Sequence, residues 1–114
     1  MLRTRGLIDT GADECVFPAA FAELLGIDLR AGAGLATVTA SGVATRYVHP
    51  IILKTDRLFH GLVFPEAAIG FMDDLHFPLL GVKSFLSYFT LQIDYENEAF
   101  SLTPNLKCLS LAKA

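Results

Sequence analysis

The segment Leu7-Ile8-Asp9-Thr10-Gly11-Ala12-Asp13 places two carboxylates, a hydroxyl and a glycine directly behind an apolar pair. An aspartate at the end of an apolar strand is costly to hold there unless its charge is used. Thr10 adds a hydroxyl beside it, and Gly11 removes a side chain so that another backbone or a ligand can approach closely. Such a carboxylate is suited to general acid–base work. A tight Asx-type turn would account for Asp9 and Gly11, but it has no need of the apolar pair. Further along, Leu79-Leu80-Gly81 repeats the pattern of an apolar pair running into a glycine.

Other residues carry weaker signals. Cys15 has apolar neighbours and no histidine close in sequence, so it reads as a buried thiol rather than a nucleophile. With only Cys15 and Cys108, far apart, no CxxC pair exists, and both are expected as free thiols. His49, His60 and His76 fit no metal-ligand spacing, so no metal and no cofactor is expected. Asp73-Asp74 reads as a solvated loop. Gly32-Ala33-Gly34 lacks the further glycine or Gly-Lys-Ser/Thr of a phosphate loop and reads as a flexible turn.

The elements that must position the Asp9 segment are mostly short strands. Leu7-Ile8 runs into the turn-forming cluster, and Cys15-Val16-Phe17 resumes extended character. Pro18 can open a helix over Ala19 to Leu25, with Gly26 as its left-handed cap. Strands are expected over Ala36 to Ala40 and Val43 to Leu53, forming a hairpin with Ser41-Gly42 at its tip. A strand from Leu58 to Phe64 should close at Pro65, with a loop around Gly70 to Phe77 and a helix-compatible stretch from Val82 to Ser87. Phe89, Leu91, Ile93 and Tyr95 alternate with polar residues as a strand with one face buried, and Ala99 to Leu102 pairs back on it. Residues 1–103 read as one domain and 104–114 as a C-terminal tail.

On Leu7-Ile8-Asp9-Thr10-Gly11-Ala12-Asp13, and on Leu79-Leu80-Gly81 through Phe89-Thr90-Leu91-Gln92-Ile93-Asp94-Tyr95, the chain resembles the retropepsin-like (retroviral-type) aspartic proteases. It is most similar to small prokaryotic members, over Gly6 to about Leu102. The resemblance implies a mainly β fold: a closed antiparallel β-barrel with one or two short helices and a flap hairpin. It also implies a homodimer in which each subunit gives one Asp-Thr-Gly loop to a single site acting on a peptide or protein substrate. Asp9, Thr10 and Gly11 would be the catalytic residues, with Thr10 bracing the two loops across the dimer. Asp13 would help bind the substrate backbone or anchor the loop. Ala12, Leu79 and Leu80 would line or support the cleft, and Ala40, Ser41, Gly42 and Val43 would bind substrate from the flap. Two carboxylates so close cannot both ionise, and the proton they share lets one act as base and the other as acid.

The chain also departs from its relatives. They usually carry an arginine just after the glycine matching Gly81, where Val82 and then Lys83 stand here. They usually have a longer strand before the aspartate, so the dimer sheet is expected to be built differently or to use chain beyond this sequence.

Composition sets the outer bounds. The 114 residues fit one domain, and 53% hydrophobic content excludes intrinsic disorder. Nine Lys+Arg against twelve Asp+Glu, with no basic run, argue against nucleic acid as a partner. No uncharged apolar stretch approaches the roughly 18 residues of a membrane span, and no signal-peptide core follows Arg3 and Arg5, so a cytoplasmic protein is expected. The mean hydropathy of +0.48 leaves apolar surface that should meet a partner, a substrate or a second copy. Three functions fit these features: an aspartic endopeptidase, a catalytically inactive retropepsin-like dimerisation or peptide-binding module, and, least favoured, a Cys15 hydrolase.

Overall fold

The computed structural model describes residues 1–113. Its centre is β5 (Leu62–Met72), whose Leu62, Phe64, Ala67, Ile69 and Phe71 are all buried. On one side β5 pairs antiparallel with β4 (Gly42–Lys54), which pairs in turn with β3 (Ala33–Thr39). On the other side it pairs parallel with β2 (Cys15–Pro18). Beyond β2 lie β6 (Leu79–Leu80) and then β1 (Leu7–Ile8), giving the order β1-β6-β2-β5-β4-β3. A separate ribbon pairs β7 (Phe89–Asp94) with β8 (Ala99–Pro104).

The fold is mainly β, as expected, but no sheet among the described residues closes into a barrel. The main sheet is open and mixed: β1–β6 and β2–β5 are parallel pairs, and β1 and β3 stand at opposite ends of the strand order. Closure fails because β1 and β6 are only two residues each, and the ribbon pairs with itself alone.

Pro18 (φ −56°, ψ 137°) ends β2 and leads into α1 (Ala19–Leu24), which buries Ala22. Gly26, at φ 72°, follows the helix as expected. The hairpin is longer than expected: β3 begins at Ala33, so Ala33 and Gly34 lie in a strand, and the turn is Ala40-Ser41 with Gly42 opening β4. Pro65 does not close a strand, because β5 runs through it. The register slips between Ile51 and Leu53, so Pro65 and Glu66 fall at an irregularity where a missing N–H costs no ladder bond.

Residues 82–87 form no α-helix. Leu86 N–H and Ser87 N–H donate to the carbonyls of Gly81 and Val82, a wide turn, and Phe85 takes φ −142°, ψ −66° before a 3-10 turn at Leu86–Tyr88. The segment after Pro104 folds back rather than trailing. A 3-10 turn at Leu106–Ser110 buries Cys108, and β9 (Ala112–Lys113) pairs with β5.

The core joins the sheet to the ribbon through aromatic rings. Phe64 meets Phe85 and Tyr88 at 5.6 and 5.0 Å between centroids, and Phe85 meets Phe89 at 5.0 Å. Phe64 and Phe71 are core residues, Phe64 also touching a hollow beside Glu14 and Lys83, whereas Phe77 is exposed. The apolar excess remains partly outside: Leu7, Val38, Val43, Ile93, Tyr95 and Phe100 are all exposed.

Candidate active site

The Asp9 loop is built from two apolar pairs laid side by side. Leu7 and Ile8 pair in parallel register with Leu79 and Leu80, and Leu7 N–H donates to the Pro78 carbonyl at 2.8 Å. One further bond, from Asp9 N–H to the Leu80 carbonyl at 3.1 Å, carries the ladder to the aspartate. The internal match between the two apolar-pair segments is therefore a physical neighbourhood. Val16 pairs with Leu79 on the other side, so β6 is clasped between β1 and β2.

Asp9 itself closes the loop. Its Oδ1 accepts the Gly11 N–H at 3.0 Å, and its carbonyl accepts the Ala12 N–H at 3.2 Å. The carboxylate is half-buried, while Thr10, Gly11 and Asp13 are exposed. The far side of the loop is tied to the turn after β6: Val82 N–H donates to the Ala12 carbonyl at 2.9 Å, and Lys83 N–H to the Asp13 carbonyl at 2.6 Å. Gly81 is buried where these strands converge. A Cβ there would overlap the Glu14 carbonyl and stand 2.8 Å from the Ala12 carbonyl.

Beneath the loop, the Cys15 thiol is fully buried and accepts the Gly81 N–H at 3.4 Å. Burial pushes its pKa up to about 11; the Gly81 bond opposes the shift and the nearby Glu14 adds to it. A thiol held neutral in this way is structural, which removes the Cys15 nucleophile.

The expected site residues thus fall into two groups. Asp9, Thr10, Gly11, Ala12, Asp13, Leu79 and Leu80 share one cluster. Ala40, Ser41, Gly42 and Val43 form the exposed tip of the β3–β4 hairpin, and its hydrogen bonds stay within the hairpin: Thr39 Oγ1 donates to the Gly42 carbonyl at 3.0 Å. Arg46 is the first residue of β4 to pair with β5, so the tip overhangs the sheet. Two open hollows, about 540 and 470 Å³, lie by the 3-10 turn at Leu106–Ser110 and beside Glu14, Lys83 and Tyr88. Asp9 borders neither.

The sequence reading missed two residues here. Arg46 Nη2 and Glu14 Oε2 stand 3.9 Å apart and link the hairpin to the Asp9 loop. The only hint in sequence was an acid directly after Asp13 and a lone cation within a β-branched strand.

No family model matches the chain, and no curated protein matches it. Among solved structures, the chain is similar to the crystal structure of a retropepsin-like aspartic protease from Rickettsia conorii. The two are 28% identical with a TM-score of 0.62, over 82% of this chain and 76% of that one. Fold and match together make the chain retropepsin-like, the class of aspartic protease folds. Within that class, the Rickettsia protein is one member it resembles. No helix among the described residues is long and apolar enough to cross a membrane.

Proposed function

We propose that the protein is an aspartic endopeptidase that works as a homodimer, with the Asp9 carboxylates of two chains forming one site. The observation that carries this reading is the Asp9 loop itself: a half-buried aspartate at a strand end, its carboxylate accepting the Gly11 N–H and its backbone N–H donating to the Leu80 carbonyl, in a retropepsin-like fold. Each chain supplies one Asp-Thr-Gly, so the chemistry requires a second copy. Exposed apolar residues at Leu7, Ile93, Tyr95 and Phe100 supply surface for that association.

In the dimer the two carboxylates hold one proton between them. The ionised Asp9 takes a proton from a bound water, which attacks the scissile carbonyl. The protonated Asp9 donates to the carbonyl oxygen, giving a gem-diol. The proton taken from water then passes to the amine nitrogen as the C–N bond breaks, and a gem-diol hydroxyl returns its proton to the other carboxylate. The Gly11 N–H, donated to Asp9 Oδ1, holds the carboxylate in place without a side chain crowding the substrate backbone, and the exposed Thr10 would brace the second loop. The hairpin tip Ala40–Val43 would cover the substrate. We place the enzyme in the cytoplasm as one domain over residues 1–103, onto which residues 104–113 fold back.

A second reading is a non-catalytic peptide-binding module, favoured by the exposed Val82 where relatives carry an arginine. Peptide cleavage by the purified protein, lost in Asp9→Asn, supports the enzyme; binding without cleavage from acid to neutral pH supports the module.

A further inference from the structure

The two buried side-chain polar atoms without a hydrogen-bond partner among the described residues are Glu14 Oε2 and Arg46 Nε, and they belong to the two members of one ion pair. Buried polar atoms are rarely left unpaired, so a half-made contact between two such atoms calls for a physical reason. At 3.9 Å the pair attracts but is too long for a hydrogen bond.

Each charge is fixed to a different body. Arg46 Nη1 donates to Thr37 Oγ1 at 2.6 Å, so the guanidinium travels with the β3–β4 hairpin. Glu14 directly precedes β2, its carbonyl against Gly81, next to the Ala12 and Asp13 carbonyls that bind the turn after β6. The Arg46 stem reaches across β5 at Gly70, where a Cβ would stand 2.9 Å from Arg46 Cδ, so a bare position in the central strand opens the route. Arg46 is also the residue at which the hairpin leaves the sheet.

We propose that Arg46 and Glu14 act as a strut that sets the tilt of the β3–β4 hairpin over the Asp9 loop, tightening to a hydrogen-bonded pair when the hairpin closes. They are positioning residues. Their effect on substrate rests on the reading of the hairpin as the cover of the site, but the coupling itself does not. Closure by less than about 1 Å would bring the fork of Arg46 within hydrogen-bond range of the carboxylate.

The test is a double-mutant cycle of Glu14→Gln, Arg46→Met and both together, read by hydrogen–deuterium exchange of the amides of residues 36–45 in the full chain. Each single variant should speed that exchange by about fivefold, and the double variant should be no faster than either single one. Arg46→Lys, which keeps the charge, should recover part of the protection. Additive effects, or exchange unchanged in both single variants, would overturn the strut. Peptide kinetics provide an independent reading: Glu14→Gln should raise KM about fivefold with kcat within about twofold. Coupled exchange without any cleavage upholds the strut and removes the protease reading, whereas cleavage without coupling does the reverse.

Discussion

Gly81 lies against the backbone carbonyls of Glu14 and Ala12, in the space a Cβ would need, while its own N–H reaches the Cys15 thiol. The loop that presents Asp9 therefore rests on a residue with no side chain, 72 positions downstream by the numbering of the chain.

Gly81→Ala should consequently destabilise the fold by about 3 kcal/mol or more, because the clash is with backbone that cannot rotate away. Chemical denaturation would measure it; a loss below about 0.5 kcal/mol would contradict the packing described.

Asp9→Asn should leave folding and self-association intact, since the amide oxygen can still accept the Gly11 N–H. Cleavage should fall by at least about 10³-fold, as the pair loses its shared proton. Undiminished cleavage would remove Asp9 from the chemistry.

Cys15 predicts a dependence of stability on alkaline pH. Its folded pKa, about 11, lies above the ordinary value of 9.0, so the folded protein holds the proton where the unfolded chain releases it. The stabilisation is fully present below about pH 9 and is lost as pH rises towards 11. Comparison of the wild type with Cys15→Ala by denaturation at pH 8 and pH 10.5 should show a steeper decline in the wild type. Equal slopes would contradict the buried thiol.

Phe71 is fully buried, with Phe17 and His49 rings edge-on at 6.2 and 5.8 Å. Phe71→Leu should cost about 1–3 kcal/mol without altering the Asp9 loop, a difference seen as a lower Tm with KM unchanged. A changed KM at equal stability would tie this part of the core to the site.

What was legible in the sequence is what is encoded locally. The Leu7-Ile8 and Leu79-Leu80 pairs, the hairpin turn and the alternation of Phe89, Leu91 and Ile93 each carry their own pattern, and all three lie in strands or their turn. The buried face expected of the last holds at Phe89, while Ile93 and Tyr95 are exposed. Pro65 was misread because a proline is tolerated in a long strand only where the register slips, and that slip depends on the pairing with β4. The 82–87 stretch has helix-compatible residues, but Val82 and Lys83 are pinned to the carbonyls of the Asp9 loop and Phe85 is turned out of helical geometry. Burial of Cys108 and the pairing of β9 with β5 depend on tertiary packing that composition does not show. The Arg46–Glu14 contact was invisible for the same reason, since it needs three strands side by side and a glycine between the charges.

The central claim, one site built from two Asp9 carboxylates, is tested most directly by mixing. Wild-type protein is combined with Asp9→Asn protein under conditions of subunit exchange, and peptide cleavage is followed as the variant is added. At equal amounts only about one dimer in four keeps both carboxylates, so activity per wild-type chain should fall by about half and continue to fall with excess variant. Activity that depends only on the amount of wild-type chain present would contradict a shared site.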